Sequence, residues 1–108
     1  MSIEQTDKID IISTGKNNRI VLTISDNLEW DEAGTHAELM EEKINNYLHF
    51  IESGQLIEEY PDAKGKKVVI NVVMKFSPNE EGLDFLEDCQ EIVKNLGHKL
   101  EWNDPSNK

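Results

Sequence analysis

Basic residues are scarce. Eleven lysines and arginines stand against 22 aspartates and glutamates, for a formal net charge of -11. Nucleic acid and anionic membrane surfaces, both polyanions, are disfavoured as partners. A basic protein partner remains open. Cysteine is limited to Cys89, which excludes an internal disulfide. No basic segment leads into an apolar run at the start of the chain, and no apolar run approaches about eighteen residues. The cytoplasm is therefore the default location. Three histidines and one cysteine are thin resources for catalysis, and no glycine-rich phosphate loop, serine elbow or paired-cysteine motif is present. No cofactor and no metal are expected. Two tryptophans, two tyrosines and three phenylalanines read as core and core edge.

The 108 residues suit one domain with a single core, and residues 1–7 and 103–108 read as loose polar ends. The chain is organised around Thr35 to Gly54. Ala37, Met40, Ile44, Tyr47, Leu48 and Ile51 recur there at three- and four-residue steps and form one helical stripe. Thr35 and Glu38 have the spacing of a capping box, and Gly54 is placed to close the helix. Ile9 to Ile12 gives a short strand, Gly15 to Asn18 is turn chemistry, and Arg19 to Ser25 alternates as a second strand. Gln55 to Lys66 carries no clear period and reads as a connection, with room for an edge strand at Leu56 to Glu58. Lys67 to Phe76 is rich in β-branched residues and reads as the central strand. A second helix is expected from Asn79 or Glu80 to Leu96, stopped by Gly97, and a last strand at Lys99 to Trp102. The order β-β-α-β-α-β, with right-handed crossovers, predicts an α+β fold: a two-layer α/β sandwich with a four-stranded mixed sheet and two helices on one face. The other sheet face would carry Asp10, Ile12, Val21, Thr23, Val69, Asn71, Val73, Lys99 and Glu101. A face so mixed is either solvated or packed against a second copy.

Four segments, IEQTDKIDII (3–12), LTISDNLEW (22–30), EEKINNYLHFIESGQL (41–56) and YPDAKGKKVVINVV (60–73), together resemble a family of small uncharacterised bacterial proteins known as a domain of unknown function. The resemblance covers Ile3 to about Leu96, with the run from Glu41 through Pro61 to Val73 as its most specific part. It implies a bacterial, intracellular, stand-alone domain in which Tyr60, Pro61 and Gly65 form a defined loop. It brings no activity and no catalytic or binding residues.

The candidate residues come from the chain itself. Glu80, Asp84, Glu87 and Glu91 share a narrow arc of the second helix, extended by Glu81 and Asp88. This reads first as a solvated face with acids at a favourable helix start, and second as a surface docking a basic protein. Leu39 and Phe50 lie off the main stripe of the first helix and need cover from the second helix or from a partner subunit. Together with Val21 and Val73 they are the apolar candidates for a homodimer or other protein contact. His36 follows Glu32 by one helical turn, but a solvated or capping histidine is preferred to a metal ligand shared with Asp31. Cys89, central in an apolar stripe, reads as a small hydrophobe with a raised pKa. The expectation is a non-enzymatic protein-interaction module, in a narrower form an immunity- or antitoxin-like inhibitor of a basic partner. The alternative is a small enzyme or ligand-binding protein with a pocket near Trp30, His36 and Tyr60.

Overall fold

A computed structural model of the chain describes residues 11–15, 18–26, 29–30 and 34–103. Its strands are Ile11–Gly15 (β1), Arg19–Asp26 (β2), Lys67–Met74 (β3) and Lys99–Trp102 (β4). They form one sheet in the order β1-β2-β3-β4, with β1 antiparallel to β2 and the other neighbours parallel. The helices are Thr35–Glu52 (α1), Gln55–Glu59 (α2) and Glu80–Asn95 (α3), and a 3-10 turn covers Pro61–Ala63. The mixed four-stranded sheet and the β-β-α-β-α-β order are those expected. α2 is an addition.

Alternation along the strands decides which side chains meet the helices. Ile20, Leu22 and Ile24 of β2, Val68, Ile70 and Val72 of β3, and Leu100 of β4 are buried in one cluster with Met40, Ile44, Tyr47 and Leu48 of α1 and Leu86, Cys89 and Val93 of α3. Both long helices therefore cover one sheet face. α1 leaves the carboxyl end of β2, runs back along the sheet, and delivers the chain to the start of β3. On the opposite face Arg19 reaches across β3 to Glu101 (3.7 Å), which also meets Lys99 (3.0 Å). Val69 lies on that face of β3 and is nevertheless buried.

Several local expectations change. Ile12 belongs to the helix-covered face, because Gly15 pairs with Arg19 and Ile12 with Leu22. A three-residue loop, in which Asn18 takes a φ of 62°, sets that register, and directly paired residues point the same way. Ile9 and Asp10 lie outside the described residues. Thr35 is not a capping residue: it is already helical, and Gly34 precedes it with a φ of 82° and accepts the Glu38 N–H at 3.0 Å. Leu56 to Glu58 is helix rather than edge strand, with Glu58 N–H bonded to Gly54 O and Tyr60 N–H to Leu56 O. Five residues with a single buried member, Leu56, are too few to display a period. The second long helix starts as read, where Asn79 Oδ1 accepts the Gly82 N–H at 2.7 Å. Asn103, placed by the sequence in the loose end, is tied to β3: its Oδ1 accepts the Met74 N–H at 2.8 Å and its own N–H donates to Val72 O at 3.3 Å.

Candidate functional site

The even-numbered side chains of β2 face inward, and that parity carries Asp26, the last strand residue, into the interior. On α1 the same logic at helical spacing places His36, Met40, Lys43 and Tyr47 along one buried stripe. Asp26 and His36 meet there. His36 Nε2 lies 2.6 Å from Asp26 Oδ2, with the two side chains 1% and 0% exposed. His36 Nδ1 donates to the Glu29 carbonyl at 3.0 Å. Two acceptors thus flank the ring, one at each nitrogen.

Trp30 closes this cluster. Its indole stacks on the imidazole with centroids 3.8 Å apart and planes at 19°, and its Nε1 is buried with no hydrogen-bond partner among the described residues. On the far side lies the first turn of α3, where a Cβ on Gly82 would fall 2.6 Å from Trp30 Cε3. The end of β2 and the starts of α1 and α3 therefore converge on one indole–imidazole–carboxylate stack. Deeper along the stripe Lys43 is fully buried, its Nζ 6.0 Å from the centroid of the Tyr47 ring, while Tyr47 Oη donates to Thr23 O at 2.8 Å.

The carboxyl ends of parallel strands are where open α/β sheets usually bind ligands. Here the side chains of Asp26 and His36 at the end of β2 are buried. A general acid or base must come within hydrogen-bond reach of its substrate, and side chains 0–1% exposed do not. The cluster acts as an anchor joining three elements. His36 is accordingly neither solvated nor capping. Asp31 and Glu32, its suggested metal partners, lie outside the described residues, among which no group of three or more His, Cys, Asp or Glu is placed to hold a metal. Tyr60 is not part of the cluster, since it follows the far end of α1, a helix roughly 27 Å long. The pocket of Trp30, His36 and Tyr60 is not assembled. Asp26 and Lys43 were missed in the sequence, although strand parity and helical spacing mark both as inward-facing.

The surface candidates are distributed differently. Glu80, Asp84, Glu87 and Glu91 are all exposed along α3, with Glu81 and Asp88 beside them. Val73 is 44% exposed on the open sheet face and Val21 half-buried there. Phe50 is 6% exposed within the chain's own core, and Leu39 packs partly buried against it. Their surface is largely taken up by the fold.

Two grooves flank α3. One, of about 710 Å3, lies towards β4, and there Glu87 and Glu91 face Lys67, Lys94, His98 and Lys99. Lys67 Nζ donates to Gly97 O at 2.8 Å, and His98 Nε2 lies 2.8 Å from Glu52 Oε1. The other, of about 270 Å3, runs between α1 and α3 and is lined by Glu41, Ile44, Asn45, Leu48, Phe85, Asp88, Cys89, Ile92 and Val93. Burial pushes the Cys89 thiol up to about 11, and the Glu41 and Asp88 carboxylates add to the effect.

No helix among the described residues is long and apolar enough to cross a membrane. The chain belongs to the family of unknown function DUF6572, whose family model matches residues 1–106. No curated protein and no solved structure matches it.

Proposed function

We propose that this chain is a non-enzymatic protein-interaction module whose acidic helical surface engages a basic protein. Membership in its family assigns no activity, and the Asp26–His36 pair described above is buried. The observation that carries the reading is on α3. Glu80, Asp84, Glu87 and Glu91 are exposed along a helix that also leaves Ile92 56% exposed, on a chain of net charge -11. Charge of one sign beside exposed apolar surface gives steering and burial to one contact. The narrowest form of the reading is an immunity- or antitoxin-like inhibitor acting in the cytoplasm on a basic toxin.

The test compares the full-length protein with a variant carrying Glu80→Lys, Asp84→Lys, Glu87→Lys and Glu91→Lys, both immobilised and exposed to a lysate of the source cells. Basic proteins held at low salt and released at high salt are expected for the parent only. The same capture by both proteins, with circular dichroism showing both folded, removes the reading.

A second copy of the chain over the open sheet face is a separate proposal, favoured by the exposure of Val73 on the same face as the half-buried Val21. Light scattering across a salt series tests it, with a dimer that persists at high salt and is lost in Val73→Lys as the expected result. A monomer at every salt removes it.

A further inference from the structure

We infer that the groove between α1 and α3 is the docking site for a basic amphipathic helix of a partner protein, whose apolar side chains enter the groove while its lysines or arginines meet Glu41 and Asp88. This rests on the protein-interaction reading above and gives it a place and a geometry. Four observations support it.

The first is shape. The space of about 270 Å3 falls just short of the roughly 300–1,000 Å3 of pockets that enclose small molecules. An open furrow between two helices is instead a shape into which the side chains of a third helix pack. The second is lining. Leu48 and Val93 are buried at its base, Phe85 is half-buried, and Ile92 stands 56% exposed at its wall. The third is charge. Glu41 on α1 and Asp88 on α3 line opposite sides, and none of the lining residues is basic. The groove on the other flank of α3 contrasts with it, because lysines stand in its lining together with the glutamates. The acids of the α1/α3 groove thus select a cationic occupant, and the ridge of α3 extends the same sign of potential outward to steer it. The fourth is the thiol. Cys89 lies in the same lining, and both carboxylates raise its pKa, so the two charges act on one point of the groove.

The experiment pans a displayed library of helical peptides, randomised on all faces, against the full chain. Enriched peptides are expected to place apolar residues at helical i, i+3 or i+4, and i+7 positions, flanked by lysine or arginine. Their affinity, read by fluorescence anisotropy of the synthesised peptide, is expected to fall by about tenfold or more in Ile92→Glu, and also in the pair Glu41→Lys with Asp88→Lys. The variants Ile92→Ser and Glu41→Gln with Asp88→Asn, milder at the same positions, guard against a failure to fold. Peptides should also shield Cys89 from alkylation. No enrichment, enriched peptides without basic residues, or affinity unchanged by every groove variant overturns the proposal. If salt-dependent lysate capture still depends on Glu80, Asp84, Glu87 and Glu91 while the groove variants change nothing, the broader reading stands and the groove falls. If peptide binding depends on the groove while the ridge variants still capture the same proteins, the acidic ridge loses its role.

Discussion

At the carboxyl end of β2 the chain hides an aspartate and a histidine at 0% and 1% exposure, while on the outer side of α3 it leaves Ile92 56% exposed. The first arrangement carries a desolvation cost that must be offset by pairing, and the second forgoes burial that the fold could have used. In a chain of this size, a polar group inside is tolerated when it joins elements that apolar contacts alone would not register. An apolar group outside has no such return within the monomer. Structural specificity lies at the Asp26–His36–Trp30 stack, and the intermolecular recognition proposed above lies on the helical surface. The place where the polar side chains gather is thus separate from the place where partners would bind.

The strongest way to break this comparison is to remove half of the buried pair. Asp26→Ala takes the carboxylate away from the buried His36 ring, and His36→Ala takes the imidazole away from the buried Asp26 carboxylate. Each is expected to cost about 3–5 kcal/mol in denaturant unfolding, a large part of the roughly 5–15 kcal/mol available to a domain. The double variant should cost well below the sum of the two, since both changes break the same contact. Additive losses, or single losses below about 1 kcal/mol, would mean that the stack does not anchor the fold.

On the other side of the comparison, Cys89 reports on the groove. Its pKa, raised from 9.0 to about 11 by burial and then by Glu41 and Asp88, leaves about a hundredfold less thiolate at neutral pH than an ordinary cysteine. Alkylation by iodoacetamide should be slowed in proportion, with a rate that rises until about pH 11. The sign for stability follows from the same shift. Between pH 9 and 11 the folded chain holds the thiol proton that the unfolded chain releases, so stability is full below about pH 9 and is lost as pH climbs towards 11. Fast alkylation at pH 7 would show that the groove is open to its floor.

Most of the architecture was legible because burial imposes a period. Ile20, Leu22 and Ile24 declare a strand face, and Met40, Ile44, Tyr47 and Leu48 declare a helix face. Local features that depend on a single residue were not legible in the same way. Leu56 alone anchors α2, and the side of the sheet that Ile12 faces depends on whether the hairpin loop holds two or three residues. The polar stack was hidden for another reason. Asp26 shares the parity of Ile24 and His36 shares the stripe of Met40, but polarity at the end of a strand and the start of a helix looks like punctuation. That the two ends touch is a fact of tertiary packing. The acidic arc of α3 was visible from spacing alone, whereas its lysine-bearing flank depends on Lys67, Lys94 and Lys99, which only the fold brings together.

Gly82 sharpens the buried side at intermediate scale. Replacing a helical glycine with alanine normally stabilises by about 1 kcal/mol. At this position the new Cβ would sit 2.6 Å from the indole of Trp30, which stacks on His36. Gly82→Ala is therefore expected to destabilise by about 1–3 kcal/mol, the range for overpacking a filled interior, and to shift the Trp30 fluorescence. In a Trp30→Leu background, measured by the same unfolding curves, the sign should move back towards the ordinary gain.

The smallest expected effect on stability is also the one that separates folding from recognition. Ile92→Glu places a charge on the solvent side of α3, where surface substitutions usually stay within about 0.5 kcal/mol, and the existing helix termini and core contacts are untouched. Val93, its neighbour in sequence, is fully buried and faces the sheet, so Val93→Glu should unfold the chain or come close to it. If Ile92→Glu leaves the unfolding midpoint in place and abolishes binding of a groove-selected peptide, the exposed apolar surface belongs to recognition. A cost comparable to that of Val93→Glu would assign Ile92 to the core, and the contrast between the two regions would then reduce to a difference in depth within one hydrophobic interior.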